Sequence, residues 1–146
     1  MEAMTDTTIE SISQDFEFLD DWEERYRYII ELGAALAPYP EDLRDDVHKV
    51  RGCVSQVWLA VDREDGADPI LHLRGDSDAH IVRGLVAIVL ALFSGRTASE
   101  IASTDAESTF RQFGLDEHLT PQRANGLRSM VKRIRDEAQA ALDNAA

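Results

Sequence analysis

From Ile81 to Phe93 the chain is apolar on nearly every side, with only Arg83 interrupting valine, leucine, isoleucine, alanine, glycine and phenylalanine. A helix of that composition has no face to give to water, so it must be wrapped on several sides and lie at the centre of a core. Asp76 or Ser77 is expected to cap it, and Gly95 to stop it. Its longest apolar run, Leu85 to Phe93, falls well short of the ~20 residues a membrane span needs. The rest of the chain must therefore supply the cover.

That cover can be read from periodicity. Ile9, Ile12, Phe16 and Leu19 recur at helical spacing, which predicts an amphipathic helix from Thr7 to Leu19. Asp20 or Asp21 can open a second helix, with Glu23 or Glu24 placed for a capping box. Trp22, Tyr26, Ile29, Ile30, Gly33 and Leu36 form its inner face, and Pro38 and Pro40 close it. Thr97-Ala98-Ser99-Glu100 is a second capping box, and a helix from Asp105 to Phe113 ends at Gly114. Thr120-Pro121 opens a last helix with an inner stripe of Leu127, Val131, Ile134 and Ala138 and a basic outer stripe of Arg128, Lys132 and Arg135.

Two stretches have the period of strands instead. Val57, Leu59 and Val61 alternate with Gln56, Trp58 and Ala60, and after the Asp65-Gly66 turn Leu71 and Leu73 alternate with Ile70 and His72. A short strand before Gly52 would make a third. The fold class is α+β, a small antiparallel sheet of about three strands packed against several helices. At 146 residues this is one domain, with residues 1–6 and 143–146 expected to be flexible ends.

The chain holds one cysteine, Cys53, directly after Gly52 and at the mouth of the first strand. Glycine takes backbone angles that other residues avoid, so Cys53 is expected at the tip of a tight bend. Lys49 and Arg51 flank it and should favour the thiolate, the nucleophilic form. The apolar neighbours Val50, Val54 and Val57 would let the loop fold its tip inward. A lone cysteine is also compatible with plain packing. Three readings stay open on these residues: a persulfide carrier, which needs one accessible nucleophile and no resolving cysteine, a cysteine-dependent hydrolase with His48 as base, and a non-catalytic adaptor with a structural cysteine. A hydrolase would turn over small esters or amides alone.

The motif Gly52-Cys53-Val54-Ser55-Gln56-Val57-Trp58-Leu59 resembles the cysteine motif of the SufE family, sulfur acceptors that work with cysteine desulfurases. Three further blocks are similar to that family in the same order. They are Trp22-Glu23-Glu24-Arg25-Tyr26 through Ile30-Glu31-Leu32-Gly33, then Gly75-Asp76-Ser77-Asp78-Ala79, then Leu119-Thr120-Pro121-Gln122-Arg123. Val54 departs from the pattern, standing where many relatives carry glutamine, and bears on access and partner choice.

The resemblance implies a SufE/IscU-like fold and a persulfide carried on Cys53. It places Arg123 facing the cysteine loop, Asp78 near the partner surface, and Gly52 and Arg51 in the loop's support. It implies a sulfur-transfer partner and activator of a desulfurase rather than a stand-alone enzyme. The donor would be SufS- or CsdA-like, and the scaffold receiving sulfur SufBCD-like. Pyridoxal phosphate would belong to the donor, leaving this chain no cofactor of its own. A cytoplasmic monomer or weak homodimer is expected.

Charge and spacing narrow the remaining classes. Fourteen acidic and three basic side chains fall in residues 1–46 of a chain whose net charge is −13. That balance repels nucleic acid, which asks for clustered lysine and arginine. It suits solubility, or steering toward a basic partner by Glu41, Asp42, Asp45 and Asp46. His48, His72, His80 and His118 are too scattered to converge on a metal with Cys53, and one thiol cannot scaffold an iron–sulfur cluster. The acidic amino terminus lacks the basic start of a signal peptide.

Overall fold

The computed structural model describes residues 8–145. Residues 1–6, expected to be flexible, lie outside the described residues, as do Thr7 and Ala146. The elements run α1 (Ile9–Phe18), α2 (Trp22–Ala34), a 3-10 turn (Glu41–Leu43), β1 (Val57–Glu64), β2 (Ile70–Ser77) and α3 (His80–Phe93). After them come β3 (Arg96–Thr97), α4 (Ala98–Ser103), α5 (Ala106–Gln112), α6 (Leu115–His118) and α7 (Pro121–Asn144).

α3 is the apolar helix, and it is covered as its composition demands. Ile81, Leu85, Val86, Ile88, Val89 and Phe93 are all buried. Helices α2 and α7 and strand β2 are its main neighbours. Glycines set two of these approaches. A Cβ on Gly84 would stand 2.1 Å from the Ile29 carbonyl oxygen of α2, and one on Gly75 would stand 2.8 Å from Val86 Cγ1. Only a residue without a side chain lets the neighbouring elements close to that distance.

The start of α3 differs from expectation. Neither Asp76 nor Ser77 is its N-cap; Ala79 takes that position with no side-chain cap, and β2 runs on through both residues. Asp76 is instead drawn inward as a buried carboxylate, 2.6 Å from Arg44 Nη2 and 2.7 Å from Arg83 Nε. Ser77 Oγ accepts from the Ala79 N–H at 3.2 Å, a turn made just ahead of the helix.

β1 and β2 pair antiparallel from Val57↔Ser77 to Glu64↔Ile70. The expected strand before Gly52 reduces to a single bridge, Lys49↔Trp58. The third strand is β3, on the far side of β2, in the order β1-β2-β3. Gly95 explains it. With φ at +83° it ends α3 and turns its N–H to the Leu71 carbonyl at 2.8 Å, delivering Arg96 to the free side of β2. The first four residues of β1 are buried on both faces. Val57 and Leu59 enter the main core, while Trp58 and Ala60 pack with Tyr39 in a second, smaller cluster.

The remaining helices follow their signals closely. Asp21 caps α2 through the Glu23 N–H, and α2 ends at Ala34, before either proline. Thr97 and Glu100 form the expected capping box, and Asp105 caps α5. Gly114, with φ at +78°, ends α5 but leads into the extra turn α6. α7 starts at Pro121 behind Thr120 and buries Leu127, Val131, Ile134 and Ala138, together with Gly126 and Met130. It continues through Asn144, so residues 143 and 144 are helical rather than a loose end.

Candidate functional site

The segment before β1 is fixed at both ends and free between them. On the entry side Arg133 of α7 donates to the Val47 carbonyl at 2.9 Å and to the Lys49 carbonyl at 3.1 Å. The Val50 N–H donates to the Val57 carbonyl at 2.8 Å. On the exit side Asp78 accepts from the Gln56 N–H at 3.0 Å and from its amide Nε2 at 3.4 Å. Residues 51–55 turn over between these clamps. At Gly52 φ is +91°, which calls for glycine, and a Cβ there would also stand 2.5 Å from Ser129 Oγ.

Cys53 sits at the tip, half-buried, over a cavity of about 300 Å³. Val82 and Leu85 of α3 and Arg123, Gly126 and Met130 of α7 supply its inner walls. The thiol donates to the Gly126 carbonyl at 3.6 Å. A larger groove of about 570 Å³ lies between α1, α2 and α3, but it is lined by residues such as Ile9, Leu32, Leu36 and Leu90 and holds no thiol. Volume alone therefore does not mark the site; the thiol does.

The electrostatics correct one expectation. Burial pushes the Cys53 thiol above its ordinary value, because the thiolate would lose water on entering the cavity. Lys49 and Arg51 do not offset this: Arg51 is exposed, where water weakens its field. The inward fold of the loop is likewise not carried by all three valines. Val50 and Val57 are buried, whereas Val54 is 82% exposed beside the cysteine, close in character to Val47 at 75%.

Arg123 lines the cysteine's cavity, and its Nη1 donates to the Tyr26 hydroxyl at 3.1 Å with the guanidinium 6.0 Å from the Tyr26 ring centre. Asp78 acts on the loop's exit rather than on the thiol, and Gly52 makes the bend. His48 is engaged elsewhere, with its N–H and its Nδ1 on Asp45 Oδ1 at 2.9 and 2.6 Å. Among the described residues no histidine lines the cavity, so the pair a cysteine hydrolase needs is not assembled around Cys53. Nor, among those residues, could any group of three or more His, Cys, Asp or Glu hold a metal ion, and no helix is long and apolar enough to cross a membrane.

Sequence reasoning misses three residues of this site. Tyr26 reads in the sequence as core packing alone, yet it holds Arg123. Gly126 and Arg133 carry no motif, though their spacing from Arg123 on α7 puts all three toward the cysteine loop. The tucked thiol has a direct consequence. Alkylation of Cys53 by iodoacetamide in the folded protein is expected to be at least about tenfold slower than in denaturant at about pH 8, since burial both shields the sulfur and disfavours its thiolate. Equal rates would mean that the tip is open in solution.

The family described as "SufE: Fe-S metabolism associated domain" matches residues 10–138. The chain is 58% identical over 137 residues to an uncharacterized SufE-like protein of Rhizobium meliloti, covering 93% of this chain and 98% of that protein. It is 59% identical over 133 residues to another from Rhizobium etli, covering 90% of each. Among solved structures, the solution structure of a hypothetical protein from Thermus thermophilus matches with a TM-score of 0.73. That match covers 93% of this chain and 96% of the other at 21% identity, and it shows the fold.

Proposed function

The chain belongs to the SufE family, a family of iron–sulfur metabolism, and on that premise we propose that it is a persulfide carrier working through Cys53. The donor is a cytoplasmic cysteine desulfurase of the SufS or CsdA kind, whose own pyridoxal phosphate frees sulfur from cysteine and leaves it as a persulfide on an enzyme cysteine. The Cys53 thiolate attacks the outer sulfur of that persulfide. The donor's S–S bond breaks, its cysteine departs as a thiolate, and the outer sulfur is now bonded to Cys53. Sulfur is exchanged without any external oxidant or reductant, as in thiol–disulfide exchange. By clearing the donor's cysteine the carrier stimulates the desulfurase, then passes its sulfur to an iron–sulfur assembly scaffold of the SufBCD kind.

One observation carries this reading: a single thiol, at the tip of a loop clamped on both sides, rests over a cavity with no histidine among its described lining residues. Such a group is poorly equipped for hydrolysis and well placed to keep an idle thiol out of water until a partner draws it out. Transfer requires the sulfur to reach a partner's cysteine, so the tip turns out in the complex and the partner binds the open state more tightly. Val54, exposed beside the cysteine, and Val47, exposed at the loop's entry, give a partner apolar contact. Of the nearby acids, Glu41 is paired with Arg44, which leaves Asp42, Asp45 and Asp46 to steer a basic surface.

Incubating the protein with such a desulfurase and free cysteine, then weighing it intact, tests the proposal. The expected result is one added sulfur, removable by a reducing thiol. A mass unchanged after the desulfurase has turned over would reject it.

A further inference from the structure

Gly126 lies on α7 directly beneath the loop tip. Its φ is not in the left-handed region, and in the interior of a helix glycine is ~1 kcal/mol worse than alanine, so the backbone gives no reason for it. Space gives one. A Cβ on Gly126 would stand 3.4 Å from Cys53 Sγ and 3.8 Å from Cys53 Cβ. An alanine methyl would just reach contact, and a larger side chain would occupy the place of the thiol.

The carbonyl of the same residue supplies the polar half. It accepts the Cys53 S–H at 3.6 Å, and a carbonyl oxygen can only accept. A thiolate has no proton to offer and would set its charge against that oxygen. Among the described residues Cys53 Sγ makes this one hydrogen bond. Val82, Leu85 and Met130 are apolar, Ser55, Thr120 and Gln122 line the cavity as neutral groups, and Arg123 is its one lining cation, with Nη1 on the Tyr26 hydroxyl. Arg51 is exposed, the Lys49 carbonyl is held by Arg133, and Asp78 is bound to Gln56.

We propose that Gly126 is a positioning residue whose missing side chain and free carbonyl lone pair form a seat that accepts Cys53 only as the protonated thiol. Ionisation takes away the S–H, and sulfur loading replaces it with an S–S bond, so either event releases the tip. The loading half of this statement rests on the persulfide-carrier reading; the ionisation half does not. The device keeps the idle carrier inert and makes its reactive form coincide with its accessible form. Unloaded and protonated, the sulfur is both shielded and a poor nucleophile.

Gly126→Val and Gly126→Ala test the seat through the pH dependence of iodoacetamide alkylation, which involves no desulfurase. The valine variant is expected to react about tenfold faster at about pH 7, because its tip can no longer seat, with its alkylation midpoint moved down. The alanine variant should stay within about twofold of wild type, because its methyl stops at contact. Both residues are better helix formers than glycine, so neither melting temperature should fall. A valine variant with an unmoved midpoint would overturn the proposal, as would faster alkylation accompanied by a melting temperature lower by more than about 5 °C. A second readout needs no variant. In the wild type the carbon-NMR shift of the Gly126 carbonyl should titrate with the same midpoint as alkylation, and a shift indifferent to Cys53 ionisation would overturn the seat. Failure of sulfur uptake with these results intact would count against the carrier reading alone.

Discussion

Cys53→Ala is expected to return a stimulated desulfurase to its unassisted rate and to abolish sulfur uptake altogether. The chain has no second cysteine to take over, and sulfur exchange needs a sulfur nucleophile. Cys53→Ser should do the same, and it is the cleaner comparison. Its hydroxyl can still donate toward the Gly126 carbonyl, so the tip keeps its polar contact while losing its chemistry. Neither change should cost much stability, because the side chain is only half-buried and truncates into a cavity already open at the surface. Titration of each variant into a desulfurase assay, with binding measured in parallel, reads the result. Full stimulation by the alanine variant would show that the enzyme is activated by contact rather than by removal of its persulfide. A hydrolytic role would show instead as turnover of small esters by the wild type alone, lost in both variants.

The parts of this fold legible in the sequence are those with a local cause. Thr97 with Glu100, Asp105, and Thr120 with Pro121 each open a helix, because a cap is a bond between neighbours in the chain. The apolar run of α3 declares its place because a helix without a polar face has only one kind of surroundings. What is not legible depends on partners far along the chain. Asp76 stands in a good position to cap α3, and only the arrival of Arg44 from another segment turns it into a buried ion-paired carboxylate. The two residues of β3 carry no strand period at all; they become a strand because Gly95 aims them at β2.

The site divides along the same line. Cys53 and the bend at Gly52 are visible from adjacent residues, but the state of the thiol is not. Two cations beside a cysteine suggest an acidic thiol, yet the loop folds the sulfur toward α3 and α7 while leaving Arg51 in water. Desolvation then outweighs a screened charge. The residues that hold the tip and the loop's entry, Gly126 and Arg133, come from α7, far along the chain, and carry no motif of their own.

Asp76→Asn is expected to cost about 2–3 kcal/mol at about pH 7, which is a fall of roughly 5–10 °C in melting temperature for a chain this size. The carboxylate is 7% exposed and accepts from Arg44 at 2.6 Å, from Arg83 at 2.7 Å and from the Ser77 N–H at 2.7 Å. Arg44 in turn lies over the rings of Trp58 and Tyr39, so the pair ties the segment before the cysteine loop to the start of α3. Breaking a fully buried pair costs about 3–5 kcal/mol; both arginines here are partly exposed, which lowers the figure. Burial works to raise the Asp76 pKa, but the bonds from Arg44, Ser77 and Arg83 outweigh it and hold the group below the usual carboxylate range. A carboxyl depressed in the folded state adds stability that is full above its unfolded pKa and is lost as pH falls through the folded one. The gap between wild type and variant should therefore be widest near neutrality and narrow progressively below about pH 4. Urea unfolding of both proteins at about pH 7 and about pH 3 measures it. A gap that stays constant between those pH values would show that Asp76 contributes through shape rather than charge.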